Sequence, residues 1–129
     1  MLASACHCHS CQKLSGSAFS LTMTLPSEGF AVTEGEPVVA GLLPQVRHHY
    51  CARCHDWLFT RAAGMEFLVN LRPSVLDDHG WFAPFIEVRR AKGLPWASTG
   101  AVRSYEEEPA MDAYQDLVAA YAASLASRA

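Results

Sequence analysis

Short apolar runs separated by turn residues dominate most of the chain. In several of these runs, small or polar residues alternate with larger apolar ones, as expected for a half-buried β-strand. Proline and glycine lie between the runs and indicate turns. The pattern predicts strands in 17–26, 29–43 (two strands joined by a turn), 45–51, 56–61, 65–71 and 83–90.

The spacing changes to a helical one near the C-terminus. Pro109 is suited to a first helical position. Beyond it, apolar residues at steps of three and four form one stripe: Met111, Tyr114, Val118, Tyr121 and Leu125. We expect a helix over 110–127 that docks on the domain's own sheet, with a dimer contact as the alternative.

Together, the strands and the helix predict a mainly β fold. We expect one small zinc-binding domain over 1–129, made of several short, coiled antiparallel sheets with one C-terminal helix. A length of 129 residues suits one domain with its own core.

Composition and charge limit which binding partners and which cellular location we expect. The net charge of -3 gives no reason to expect nucleic acid or an anionic membrane as a partner. No apolar run approaches the roughly 20 residues of a membrane span, and the N-terminus "MLASACHC" lacks a basic region that would indicate a secretory signal. We therefore expect a cytoplasmic protein.

Three cysteines within six positions are the main candidate chemistry. Cys6 and Cys8 are two residues apart, so in an extended segment their side chains point the same way, and a turn can bring Cys11 back to them. Thiolates are soft ligands that suit zinc. Two alternatives are a redox pair in the C-x-x-C of Cys8 and Cys11, and simple burial as small residues. The odd total of five cysteines argues against a disulfide framework.

A second pair, Cys51 and Cys54 in "CARC", has the spacing of half a structural zinc site. From spacing alone, a four-cysteine site that also uses Cys6 and Cys8 stays open, and it would leave Cys11 without a role.

The histidines are weaker candidates for metal binding. His7 and His9 alternate with the cysteines, so we expect them to point away from a metal. Three others flank the second cysteine pair and either complete a second site or lie on the surface or in loops: His48, His49 and His55.

Four stretches of the chain resemble the glutathione-dependent formaldehyde-activating enzyme family, whose domain is shared with centromere protein V. They are "CHCHSCQKLSGSAFS", "VRHHYCARCHDWLF", "VLDD" and "LPWAS", within about residues 5–109. The resemblance implies a mostly β domain with two zinc sites. One would be a structural site of four cysteines, and the other a proposed catalytic site of three.

Position by position, Cys6, Cys8 and Cys11 match the three-cysteine site, which keeps an open fourth position. Cys51 and Cys54 match half of the structural site. The resemblance implies a zinc-dependent carbon–sulfur lyase that condenses the glutathione thiol with formaldehyde, or a related small electrophile, to S-hydroxymethylglutathione. The chain could also form a homodimer. The alternatives are a non-catalytic zinc-binding module for protein interaction and a glutathione carrier.

Two further expectations follow from the resemblance. Lys13 and Arg72 could meet the carboxylates of glutathione, but we expect them to be solvated on the surface. The family's first C-x-C hairpin would lie upstream of Cys6, so we expect Met1 to be an internal methionine of a longer protein or the start of a truncated form.

Overall fold

The described residues form one mixed β-sheet with helices beside it. The computed structural model describes residues 1–41 and 43–128. The strands are β1 Leu2–Cys6, β2 Ser20–Pro26, β3 Val38–Ala40, β4 Val46–Tyr50, β5 Trp57–Ala62, β6 Leu68–Leu71, β7 Ile86–Val88 and β8 Arg103–Ser104. The α-helices are α1 His9–Ser15 and α2 Ala113–Ala126, and short 3-10 turns span Ser27–Gly29, Pro73–Val75 and Arg90–Lys92.

The strands join in the order β3-β4-β5-β6-β2-β1-β7-β8. The prediction of several separate antiparallel sheets is therefore wrong, although the mainly β class is confirmed. Most neighbours are antiparallel, but β7 is parallel to both β1 and β8. The β1–β7 pair forms because the chain returns to the far side of β1 after completing β2 to β6, which local sequence patterns do not reveal.

Five of the predicted segments each overlap one observed strand, from β2 in 17–26 to β7 in 83–90. The segment 29–43 was expected to hold two strands, but its described residues hold only β3, and Leu42 lies outside the described residues. The strand β1 was not predicted, because its sequence "LASAC" has no clear alternation. Pairing with β2 on one side and β7 on the other places it in the sheet interior.

The helix α1 directly follows the first two cysteines and was also not predicted. Cys8 is its N-cap residue, with its sulfur 3.4 Å from the backbone nitrogen of Cys11. Gly16 ends the helix in the left-handed conformation (φ 60°), which favours glycine because it has no Cβ. A helix of seven residues is too short for an apolar stripe to be recognised in the sequence.

The C-terminal helix packs on the sheet as expected. Leu117 and Tyr121 join residues of β1 and β7 in the buried core. The predicted apolar stripe is only partly correct. The helix begins at Ala113 rather than near Pro109, so Met111 lies outside it and is 79% exposed. Within residues 1–41 and 43–128, no helix is long and apolar enough to cross a membrane.

Candidate metal centre

The sulfurs of Cys6, Cys8 and Cys11 all lie within 4.8 Å of one another. Cys6 is the last residue of β1, Cys8 caps α1, and Cys11 lies in the first turn of that helix. The end of a strand and the start of a helix therefore bring together three thiols that are adjacent in sequence. All three side chains are only partly buried.

The thiols are close enough to perturb one another. A hydrogen bond from Cys6, opposed by burial and helped by Ser20, Cys8 and the positive charge of Arg72, lowers the pKa of Cys11 to about 6. The same hydrogen bond, with burial, raises the pKa of Cys6. The lowered pKa favours the thiolate form of Cys11, which is the form that ligates a metal.

His7 lies between two of the cysteines but belongs to a different cluster. As expected, its imidazole is not part of the group of three sulfurs. It is fully buried, with Nε2 3.1 Å from Oε2 of Glu87 and Nδ1 3.2 Å from Nη1 of Arg90. Because a guanidinium can only donate, Nδ1 accepts from Arg90 and Nε2 donates to Glu87.

The backbone beside His7 is held as well. The side-chain amide of Gln12 donates to the carbonyl oxygens of His7 (2.8 Å) and Lys92 (3.0 Å). The hydroxyl of Thr99 donates to Glu87 at 2.9 Å. The segment that carries the cysteines is therefore fixed to the β7 region, which lies about 80 residues further along the chain.

Arg72 is buried, and the expectation of a solvated arginine is wrong. Only 7% of it is exposed, and its guanidinium lies 4.0 Å from the centre of the Trp57 ring. Burial lowers its pKa to about 10, and the thiols of Cys11 and Cys6 are the first charges that oppose this effect. Arg72 therefore stays protonated at neutral pH. Lys13, at the end of α1, is exposed as expected.

Other buried polar side chains share the face of the sheet that carries Arg72. Nδ1 of His48 lies 2.8 Å from Oγ1 of Thr60, which also accepts a hydrogen bond from Nε1 of Trp57 at 3.0 Å. The hydroxyl of Ser20 is buried beside Cys11. A sequence signal for this face existed in the alternating polar positions of "SLTMT" in β2, but the pattern predicted only a strand there.

The second cysteine pair lies apart from the first. Cys51 and Cys54 are in the loop between β4 and β5, where the sulfur of Cys54 donates to Asp56 at 3.2 Å. Among the described residues, no group of potential ligands unites this pair with Cys6 and Cys8. The four-cysteine combination that spacing alone left open is therefore not formed in this structure. Whether the pair is half of a structural site remains a prediction.

The nearby histidines are not all on the surface or in loops. His48 and His49 are in β4, where His48 is buried and His49 stacks on Phe59 with ring centres 4.3 Å apart. Burial lowers the pKa of both imidazoles, which favours their neutral forms. His55 is exposed in the cysteine loop, with a left-handed backbone (φ 61°).

A match to a known protein family identifies the family of this chain. No curated protein matches it. The family model described as "Glutathione-dependent formaldehyde-activating enzyme" matches residues 1–92, which include both cysteine groups and Arg72. The match ends before residue 109, the limit expected from the motifs, but it spans well over half of the 129 residues. The chain therefore belongs to the glutathione-dependent formaldehyde-activating enzyme family.

Proposed function

We propose that the protein binds a zinc ion through Cys6, Cys8 and Cys11 and joins the thiol of glutathione to formaldehyde. The product would be S-hydroxymethylglutathione, as in a carbon–sulfur lyase acting in the direction of addition. The proposal depends mainly on one observation, the three sulfurs within 4.8 Å of one another. Three thiolates are one ligand short of a closed tetrahedral zinc site, which is the difference between catalytic and structural sites.

The donor set fits zinc. Sulfur is a preferred ligand of this ion, and the cluster contains one thiol whose pKa is already lowered to about 6. When bound, zinc would supply the positive charge that favours the thiolate form of an incoming thiol. The chain itself contributes a fixed arrangement. Cys6 is held opposite Ser20 by the pairing of β1 with β2, and Cys8 is held as the cap of α1.

The reaction is an addition with no leaving group. The glutathione sulfur forms a bond to the carbonyl carbon, and the electron pair of the carbonyl π bond moves to the oxygen. That oxygen takes up one proton to replace the one lost by the thiol, so neither partner is oxidised or reduced. The protein's contribution would be to hold the thiol in its reactive form beside the carbonyl compound.

The first experiment is Cys11→Ser. We expect this variant to lose the metal of the three-cysteine cluster and the accelerated formation of S-hydroxymethylglutathione, because two thiolates and a hydroxyl bind zinc poorly. Zinc per chain and the exchange rate between free and hydroxymethylated glutathione, measured by NMR, are the readouts. Cys54→Ser is the matched control, since Cys54 is exposed and outside the cluster.

Two outcomes would contradict the proposal. If Cys11→Ser keeps full zinc content and activity while Cys51→Ser loses both, the functional metal is held elsewhere. If the wild-type protein binds glutathione without changing the exchange rate, the protein is a carrier rather than an enzyme.

The second experiment tests sulfur coordination. In cobalt-substituted protein, glutathione should produce a new thiolate charge-transfer band, whereas S-methylglutathione should not, because its sulfur has no proton to lose. An identical spectral change with both compounds would show that the substrate sulfur does not bind the metal.

A further inference from the structure

We propose that Arg72 makes the three-cysteine centre selective for an anionic fourth ligand, such as the thiolate of the substrate, over a neutral one. The inference rests on the proposed function, because it requires a metal bound by Cys6, Cys8 and Cys11. It adds a residue that determines specificity.

The sheet register places Arg72 on the same face as Cys6. Leu71, the last residue of β6, is paired with Met23 of β2. Arg72 continues in an extended conformation (φ -80°, ψ 118°), so it follows opposite Thr22. Residues opposite one another share a face of a sheet, and so do residues two apart on one strand.

Ser20 lies two residues from Thr22 in β2 and is paired with Cys6 of β1. Arg72, Ser20 and Cys6 therefore project from one face, on three neighbouring strands. The backbone nitrogen of Arg72 donates to the carbonyl oxygen of Leu58 at 2.9 Å, which fixes the base of the side chain against β5.

Two nitrogens of the guanidinium on this face have no hydrogen-bond acceptor in the part of the chain that the structure describes. Nε and Nη1 of Arg72 are buried, and neither has a hydrogen-bond acceptor within residues 1–41 and 43–128. None of the ion pairs in that part of the chain includes Arg72. The Trp57 ring covers one face of the guanidinium at 4.0 Å but accepts no N–H hydrogen bond in its plane.

A buried, unpaired cation is costly unless an anion is close to it. The sulfurs of the cluster share this face of the sheet with Arg72, and Cys11, followed by Cys6, most strongly favours the protonated form of Arg72. The buried hydroxyl of Ser20 lies beside the sulfur of Cys11. Two groups able to donate hydrogen bonds thus adjoin the cluster of sulfurs.

The charge on the centre explains why a cation would matter there. Three thiolates and one divalent ion carry a net charge of -1. A thiolate as fourth ligand makes the net charge of the centre -2. Without a nearby positive charge, a partly buried centre would favour a neutral ligand over a second negative charge. Arg72 offsets this penalty for an anion and gives no such advantage to a neutral ligand.

The test uses cobalt-substituted protein and two small ligands, mercaptoethanol as the thiolate and imidazole as the neutral ligand. Arg72→Gln should weaken mercaptoethanol binding by about 10- to 100-fold, the effect of losing one charge-assisted contact. Imidazole binding should change by less than about threefold, because no charge is added. Arg72→Lys, which keeps the charge, should recover most of the preference for the thiolate.

Arg61→Gln is the matched control. Arg61 is in the neighbouring strand β5, where it donates to Ser27 at 2.8 Å and lies 5.7 Å from the Phe30 ring. Its removal should leave the affinities for both ligands unchanged. Equal weakening of both ligands in Arg72→Gln, or unchanged mercaptoethanol binding, would overturn the inference.

A further measurement decides the matter if Arg72→Gln does not fold. In the wild-type protein, the anion thiocyanate should bind at least as tightly as imidazole, and binding of imidazole about tenfold more tightly would overturn the inference. A protein that takes up no cobalt would overturn the proposed function as well. A loaded protein without ligand selectivity would overturn this inference alone.

Discussion

Replacing His7 with alanine tests whether the hydrogen-bonded cluster around it holds the cysteine segment in place. The imidazole is fully buried and joins Glu87 to Arg90 through its two nitrogens. Alanine would remove both contacts and leave a cavity. Glu87, which is 6% exposed, would keep its hydrogen bond from Thr99 but lose the one from His7.

The expected loss of stability follows from these contacts. A hydrogen bond to a charged group contributes about 1.5 to 3 kcal/mol, and leaving a buried charge short of one partner adds to that cost. With the cavity included, we expect the free energy of unfolding to fall by about 3 to 5 kcal/mol. For a domain with a total of roughly 5 to 15 kcal/mol, this is a large fraction, and Tm should fall by about 10 to 20 °C.

Urea denaturation and thermal scans of the metal-free protein would measure the effect, because a chelator removes any contribution from metal binding. His9→Ala is the matched control: His9 is exposed at the start of α1, two residues away, and its loss should change stability by less than about 0.5 kcal/mol. A loss below about 1 kcal/mol for His7→Ala, or one equal to that of the control, would refute the reasoning.

Two further predictions concern pH and the C-terminal helix. Burial raises the pKa of Glu87, but hydrogen bonds from two hydroxyl groups and from His7 outweigh it and hold the pKa below the ordinary value of 4.5. The stability contributed by this carboxylate should therefore be complete above about pH 4.5 and be lost as the pH falls further. Glu87→Gln should flatten the curve of unfolding free energy against pH below about pH 4.5. An unchanged slope in this variant would contradict the role given to Glu87. Tyr121→Ala should cost about 3 to 5 kcal/mol in urea denaturation, because Tyr121 is 2% exposed in the core, whereas Met111→Ala should cost less than about 0.5 kcal/mol; similar losses for both would mean that the helix does not dock as described.

The sequence alone was sufficient for the features that depend on near neighbours. Alternation and turn residues located six of the strands, β2 to β7, because a period of two is a local property of the chain. The meeting of Cys6, Cys8 and Cys11 was predictable for the same reason, since six residues of backbone can bring three thiols together whatever the rest of the fold does. Membership of the family was also predictable from the sequence, through the motifs that contain the cysteines.

Only the tertiary structure decided what surrounds these thiols. That the strands form one sheet depends on the pairing of β1 with β7, which joins segments some 80 residues apart. The same pairing brings Glu87 to His7, so a histidine that seemed only to point away from a metal became a buried structural residue. Arg72 seemed a surface residue because arginine usually is one. Its burial beside the cysteines results from the order of β6, β2 and β1 in the sheet, and no pattern within any one segment encodes that order.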